Sequence, residues 1–208
     1  MARRSAAKRD DSERANQILA AADELFGELG YDAVSVRDVA EAAGVNKALV
    51  FYYFKSKEAL FEKVMTGYYA AHEQALRDAL DEDSSVGERL HRLMDAYVDF
   101  IATHQNFPRF VQQQVASRGP ALALIGENLA GMQHFIEEAL GDLVPKTGPL
   151  AARQFFLTFS ASVINHFTYA EALAPAWGTD PLSPDGIAER RAHLHWLVDA
   201  LLAALEKG

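Results

Sequence analysis

The chain has 208 residues, half of them apolar, which is enough for one large domain or for a small one joined to a larger one. A formal net charge of −9 argues against a general polyanion binder, and the absence of cysteine excludes disulfides, thiolate metal sites and thiol nucleophiles. The start, MARRSAAKRDDSER, is charged but lacks the apolar stretch of a secretory signal, and the longest uncharged run, 154–170, is interrupted by Gln, Ser, Thr, Asn and His. A soluble, cytoplasmic protein with no membrane partner is the expectation.

Helical periodicity runs through most of the chain without convincing strand alternation, so the expected fold class is all-α, with about nine helices. A basic arm with Arg3, Arg4, Lys8 and Arg9 occupies 1–12 and is expected to be flexible. The first helix then runs from about Ser12 to Leu29, with Ile18, Ala22, Leu25, Phe26 and Leu29 at helical spacing and Gly30 ending it. Ser35 followed by Asp38 approximates a capping box for a short helix through Ala43, and Gly44 stops it. Asn46 caps a second short helix, and Ser56 caps a long fourth one reaching about Leu80. Beyond the polar stretch DEDSSVGE, Ser85 and Glu88 form another capping box for a helix to about His104. Phe107-Pro108 starts a sixth helix, ended by RGP, and a seventh reaches about Leu143. An eighth is predicted from about Pro149 to Leu173. Ser183 and Pro184 open the last, which ends near Glu206.

The second short helix carries the run LVFYYF. Plotted at 3.6 residues per turn, Val50 and Phe54 share one face, Ala48, Phe51 and Tyr52 project oppositely, and Leu49 and Tyr53 lie between. Two short helices separated by a Gly turn make the helix-turn-helix arrangement, in which the second lies in the DNA major groove and the first crosses the backbone. An aromatic face left exposed fits that use. Charge agrees: 1–57 holds nine Lys/Arg against nine Asp/Glu, so the acidic excess lies entirely in the remainder. Lys57, directly after the Ser56 cap, opposes the positive end of the helix dipole. Folding alone gains nothing from a cation there, whereas a docked phosphate does, with Lys47 and Lys55 close by.

The stretch VRDVAEAAGVNKALVFYYFKSKEALF, preceded by LFGELGYDAVSV, resembles the N-terminal DNA-binding domain of the TetR (tetracycline-repressor) family, over roughly Arg14 to Phe61. The resemblance implies a homodimeric transcriptional regulator, usually a repressor, whose two recognition helices read a palindromic operator in double-stranded DNA and whose C-terminal domain binds a small-molecule effector that alters their separation. It implies 13–60 as DNA-binding domain and 61–208 as effector-binding and dimerisation domain. Carried over by position, Ser35, Val36, Arg37, Asn46, Lys47, Ala48, Leu49, Phe51, Tyr52 and Lys57 would face the DNA. Leu49 and Phe51 depart from the common pattern, in which a small or hydroxylic residue and a tyrosine stand there. Phe51 cannot donate to a phosphate and suggests apolar contact, for example with a thymine methyl.

Beyond Leu80 composition carries the reading. The 149–173 helix is apolar nearly all round and the last helix repeats Leu194, Leu197, Val198, Leu201, Leu202 and Leu205, so these last two predicted helices are expected to form the dimer interface as a four-helix bundle. Tyr97, Phe100, Phe107, Phe110, Phe135 and Phe156 as apolar walls, with Asn165, His166 and Tyr169 as polar groups, are the candidate effector pocket, suiting an apolar or aromatic molecule. His91 with Asp95 and His195 with Asp199 are spaced to share a face, yet neither gathers a third ligand, so no metal is expected. No phosphate loop, GxSxG or HExxH occurs, and neither a cofactor nor an enzyme is expected. From a different class, the alternative is a helical ligand-binding or enzymatic bundle without sequence-specific DNA binding. The face holding Lys47, Phe51, Tyr52 and Lys57 discriminates the two: exposed in the first, packed or indifferent in the second.

Overall fold

The computed structural model describes residues 2–80, 84–141 and 144–205, and side chains from residue 12 onward except that of residue 139. These residues form ten helices and no strand: α1 (Ala2–Leu29), α2 (Val36–Ala42), α3 (Lys47–Phe54), α4 (Lys57–Ala79), α5 (Val86–Thr103), α6 (Asn106–Ser117), α7 (Leu122–Leu140), α8 (Ala152–Thr168), α9 (Ala170–Trp177) and α10 (Pro184–Leu205). None of these helices is long and apolar enough to cross a membrane. The expected all-α class is observed. The helix α1 starts at Ala2, ten residues ahead of Ser12, while the side chains of Arg3, Arg4, Lys8 and Arg9 lie outside the described residues.

Packing divides the chain into two units, Met1–Tyr68 with Arg109–Leu124, and Tyr69–Pro108 with Ile125–Gly208, so α4 contributes to both. In the first unit Ile18, Ala22 and Phe26 of α1 are buried with Val39, Ala40, Val50, Leu60 and Phe61. Phe61 sits edge-on to Phe26 (5.2 Å) and to Phe110 of α6 (5.4 Å), a geometry in which the positive ring edge meets the negative face. Tyr68 closes this core and donates its hydroxyl to Asp23 Oδ1 at 2.6 Å.

Local caps fix the short helices. The Asp38 N–H donates to Ser35 Oγ and the Ser35 N–H to Asp38 Oδ2, completing the capping box, and these bonds hold the Asp38 carboxyl below the usual carboxylate range. Gly44 adopts φ +63, and the Val45 N–H reaches back to Ala40 O while the Gly44 N–H reaches Glu41 O: a Schellman turn, which favours glycine because a Cβ is strained at positive φ. Asn46 Oδ1 then accepts the Leu49 N–H at 2.8 Å and starts α3.

In the second unit α5 packs against α10 and α8 and buries Leu90, Leu93, Met94, Tyr97, Val98, Phe100 and Ile101. Arg191 of α10 donates to Asp95 (2.8 Å) and Asp99 (2.6 Å) of α5. The histidines pair across the two helices instead of along one: His195 Nε2 lies 2.8 Å from Asp95 Oδ1, His91 Nε2 lies 2.9 Å from Asp199 Oδ1, and the two rings stack at 4.4 Å. The single helix expected over 149–173 is two, α8 and α9, separated at Tyr169 (φ −94, ψ 1). Pro175 lies in α9, where it has no N–H to give the preceding turn.

Candidate nucleic-acid interface

Burial divides α3 as its helical spacing predicts. Val50 and Phe54 face the core, Leu49 and Tyr53 are half-buried, and Lys47, Ala48, Phe51 (39% exposed) and Tyr52 (63%) face solvent. Two large aromatic side chains exposed on adjacent positions contribute little to the core and form an apolar patch suited to contact. Lys47 Nζ lies 5.6 Å from the Phe51 ring centroid and Lys55 Nζ 5.7 Å from that of Tyr52, so each aromatic has one lysine over its ring.

Beside α3 lies a concavity of about 350 Å³ lined by Asp32, Ala33, Val34, Ser35, Val36, Arg37, Lys47, Phe51 and Lys57. Three cations face one carboxylate there, the reverse of the acidic balance of the whole chain. Of the ten residues expected to face DNA, six line this concavity: Ser35, Val36, Arg37, Lys47, Phe51 and Lys57. Ala48 and Tyr52 are exposed on α3 outside it. Ser35 and Asn46 are occupied as helix caps, and Val36 is buried. Asp32, Ala33 and Val34 were missed, because nothing in their residue types signals a lining role; only their place ahead of the Ser35 cap does.

Lys57 is half-buried, and its ammonium donates to Tyr31 O at 2.8 Å and to Val34 O at 3.0 Å, 4.2 Å above the Tyr31 ring. Folding therefore does gain from this cation, contrary to the expectation drawn from the helix dipole alone: it ties the α1–α2 link to the start of α4. The Tyr31 hydroxyl is pushed up to about 12 by burial and by the Glu58 carboxylate, so it stays protonated. The α3–α4 link is two residues, Lys55 and Ser56. Lys55 adopts φ +61, ψ −42, and the Ser56 N–H donates to Phe54 O at 2.6 Å, a γ-turn; Ser56 Oγ accepts the Ala59 N–H.

Of the nine candidate effector residues, Phe135 alone lines either of the two concavities described among these residues. Tyr97, Phe100 and Phe107 surround His72 of α4. Phe110 belongs to the core of the first unit against Phe61. Phe135 lines a crevice of about 230 Å³ with Tyr69, Glu73, Leu76 and Arg77 of α4 and Glu127, Asn128, Gly131 and Met132 of α7. Phe156 is half-buried on α8, Asn165 and Tyr169 are exposed, and buried His166 has its Nε2 3.0 Å from Pro181 O. Tyr69 and His72 were missed although α4 carries Tyr69, His72 and Leu76 at helical spacing, the signal that would have found them. Among the described residues no group of three or more His, Asp or Glu side chains is placed to hold a metal.

Residues 18–64 match the model of the bacterial regulatory proteins of the tetR family. The chain is 32% identical over 102 residues to a probable HTH-type transcriptional regulator, YttP, of Bacillus subtilis, covering 48% of this chain and 49% of that one. It is 39% identical over 74 residues to the HTH-type transcriptional repressor BdcR of Escherichia coli, covering 36% and 38%. The chain thus spans about half the length, or less, of these curated relatives. A solved bacterial regulatory protein of the tetR family from Rhodococcus RHA1 shares the fold with a TM-score of 0.70 at 21% identity, over 92% of this chain and 96% of that one. Residues 18–64 of this chain are thus similar in sequence to the tetR-family DNA-binding segment, and its described helices share the fold of a solved member of that family.

Proposed function

We propose that the protein is a cytoplasmic transcriptional repressor that binds a palindromic operator as a homodimer and is released by a small-molecule effector. The observation that carries this reading is the exposed cationic and aromatic face of α3 beside a concavity lined by Arg37, Lys47 and Lys57. Lys47, Ala48 and Tyr52 reach base edges, Phe51 packs against a thymine methyl, and Arg37 and Lys57 hold phosphates. In that role Lys57 does two things at once, since an ammonium has three donors and two are occupied by Tyr31 O and Val34 O. Repression, in place of activation, is favoured by the kinship with the repressor BdcR. With 13–60 bound to DNA and 61–208 as effector-binding and dimerisation segment, α4 is the connection: it carries Lys57 at one end and Tyr69, Glu73, Leu76 and Arg77 of the crevice toward the other. The acidic excess of the later segment repels DNA and favours docking through one face.

Selection of bound duplexes from a random DNA library tests the reading, using the wild type and a Lys47→Ala, Tyr52→Ala double variant. Both side chains are exposed, so the variant keeps its fold. Enrichment of a palindrome by the wild type alone is the expected result. No enrichment at low salt from folded, ligand-free protein would remove sequence-specific binding and leave the helical ligand-binding bundle.

A further inference from the structure

His72 is 6% exposed, and its Nε2 has no hydrogen-bond partner among the described residues. Its ring lies 4.7 Å from Tyr97 and 4.7 Å from Phe100 in near-parallel stacking, with Phe107 tilted at 6.3 Å. A phenylalanine would fill the same aromatic box and bury no orphan nitrogen, so folding alone gives no reason for the imidazole. We propose that His72 Nε2 is the polar anchor of the effector site, and that the effector is a neutral, flat molecule of one or two rings bearing a hydroxyl group.

Each part of that description follows from the surroundings. Burial, helped by the neighbouring His104, pushes the His72 pKa down to about 4, so the ring is neutral near pH 7 and supplies no counter-charge for an anion. In the neutral ring Nε2 is either an N–H or a lone pair, depending on the tautomer. A carbonyl matches only the first and an amine hydrogen only the second, whereas a hydroxyl, which both donates and accepts, matches either. The flat body is set by the aromatic walls of the α4–α7 crevice, Tyr69 and Phe135. Tyr69 connects the box to open space, for it meets Phe107 edge-on at 5.2 Å and also lines the α4–α7 crevice with Leu76, Met132 and Phe135. That crevice, about 230 Å³, compares with the roughly 150 Å³ of an apolar cavity that admits benzene, hence one or two rings. For an occupant of the crevice to reach Nε2, the Tyr69 side chain must turn aside.

The binding site stands on these contacts; its role as an effector site rests on the regulator reading above. The full chain, wild type and His72→Phe, is titrated with 2-naphthol, naphthalene and 2-naphthoate, reading thermal shift and the imidazole nitrogen resonances of labelled histidine. The expected result is that 2-naphthol raises the wild-type Tm, moves the His72 Nε2 resonance, and binds His72→Phe at least tenfold more weakly. Naphthalene is expected to bind both proteins alike and more weakly, and naphthoate neither. Equal 2-naphthol affinity for both proteins, or an unmoved Nε2 resonance at saturation, overturns the anchor; the resonance decides it even if the variant fails to fold. Binding through His72 that leaves affinity for the selected operator unchanged upholds the anchor and overturns effector control.

Discussion

Lys57 serves folding and, on the proposed reading, recognition as well, and the two roles separate under mutation. Lys57→Met leaves Tyr31 O and Val34 O without their donor and is expected to lower stability by about 1–2 kcal/mol in urea unfolding. On the proposed reading it also removes one phosphate contact, so the slope of log affinity against log salt should become shallower by about 1. Tyr52→Ala, at a site 63% exposed, should leave stability within about 0.5 kcal/mol while weakening DNA binding, and an equal loss of stability in both variants would assign α3 to the core instead. His72 gives a pH signature. An unfolded histidine protonates near 6.5, but the buried one only at about 4, so between those values the unfolded state holds more protons. Stability is therefore unchanged above pH 6.5 and falls as pH drops toward 4, by roughly 3 kcal/mol over the window. His72→Phe should flatten that acid limb; a limb as steep in the variant would place the titration elsewhere.

At the scale of the element, what governs each turn is local, and that is why so much of the helix-turn-helix could be read in the sequence. Gly44 is the clearest case: an added Cβ meets nothing within 4 Å, so Gly44→Ala tests the backbone alone. At φ +63 the alanine should cost about 1–2 kcal/mol, seen as a lower denaturation midpoint, while Gly67→Ala, also in open space but within α4, should stabilise slightly. The caps at Ser35, Asn46, Ser85 and Ser183 were legible for the same reason, since each is a side chain bonding a backbone N–H three residues on. Long-range partners were not. Nothing in the spacing of His91 and Asp95 says that each will instead pair with α10, or that Lys57 will reach back twenty-six residues to Tyr31. The candidate effector residues are spread over several helices, because aromatic content marks burial without saying which side chains burial brings together.

For the whole molecule, the question left by a helix-turn-helix this small is where the second half-site reader comes from. One face of α10 remains exposed and carries Ala188, Ala192, Trp196 (61% exposed), Ala200 and Ala203, while α8 presents Leu157 (63%) and Ala161. Small residues around a single large aromatic let two backbones approach closely, with the indole as anchor, and the same patch on a second copy would make an isologous interface. Trp196 makes no contribution to the buried core of its own unit, in contrast to Leu194 and Val198, each two residues away on the opposite face. Trp196→Glu is therefore expected to leave the helical content unchanged while turning a dimer into a monomer in sedimentation velocity. Charges brought face to face across the two-fold axis supply the repulsion. Loss of the second half-site should then weaken operator binding by about 10³-fold or more, toward the non-specific level. If Trp196→Glu remained dimeric with full operator affinity, the two-fold axis would have to pass through another surface, and the exposed indole would need a different partner.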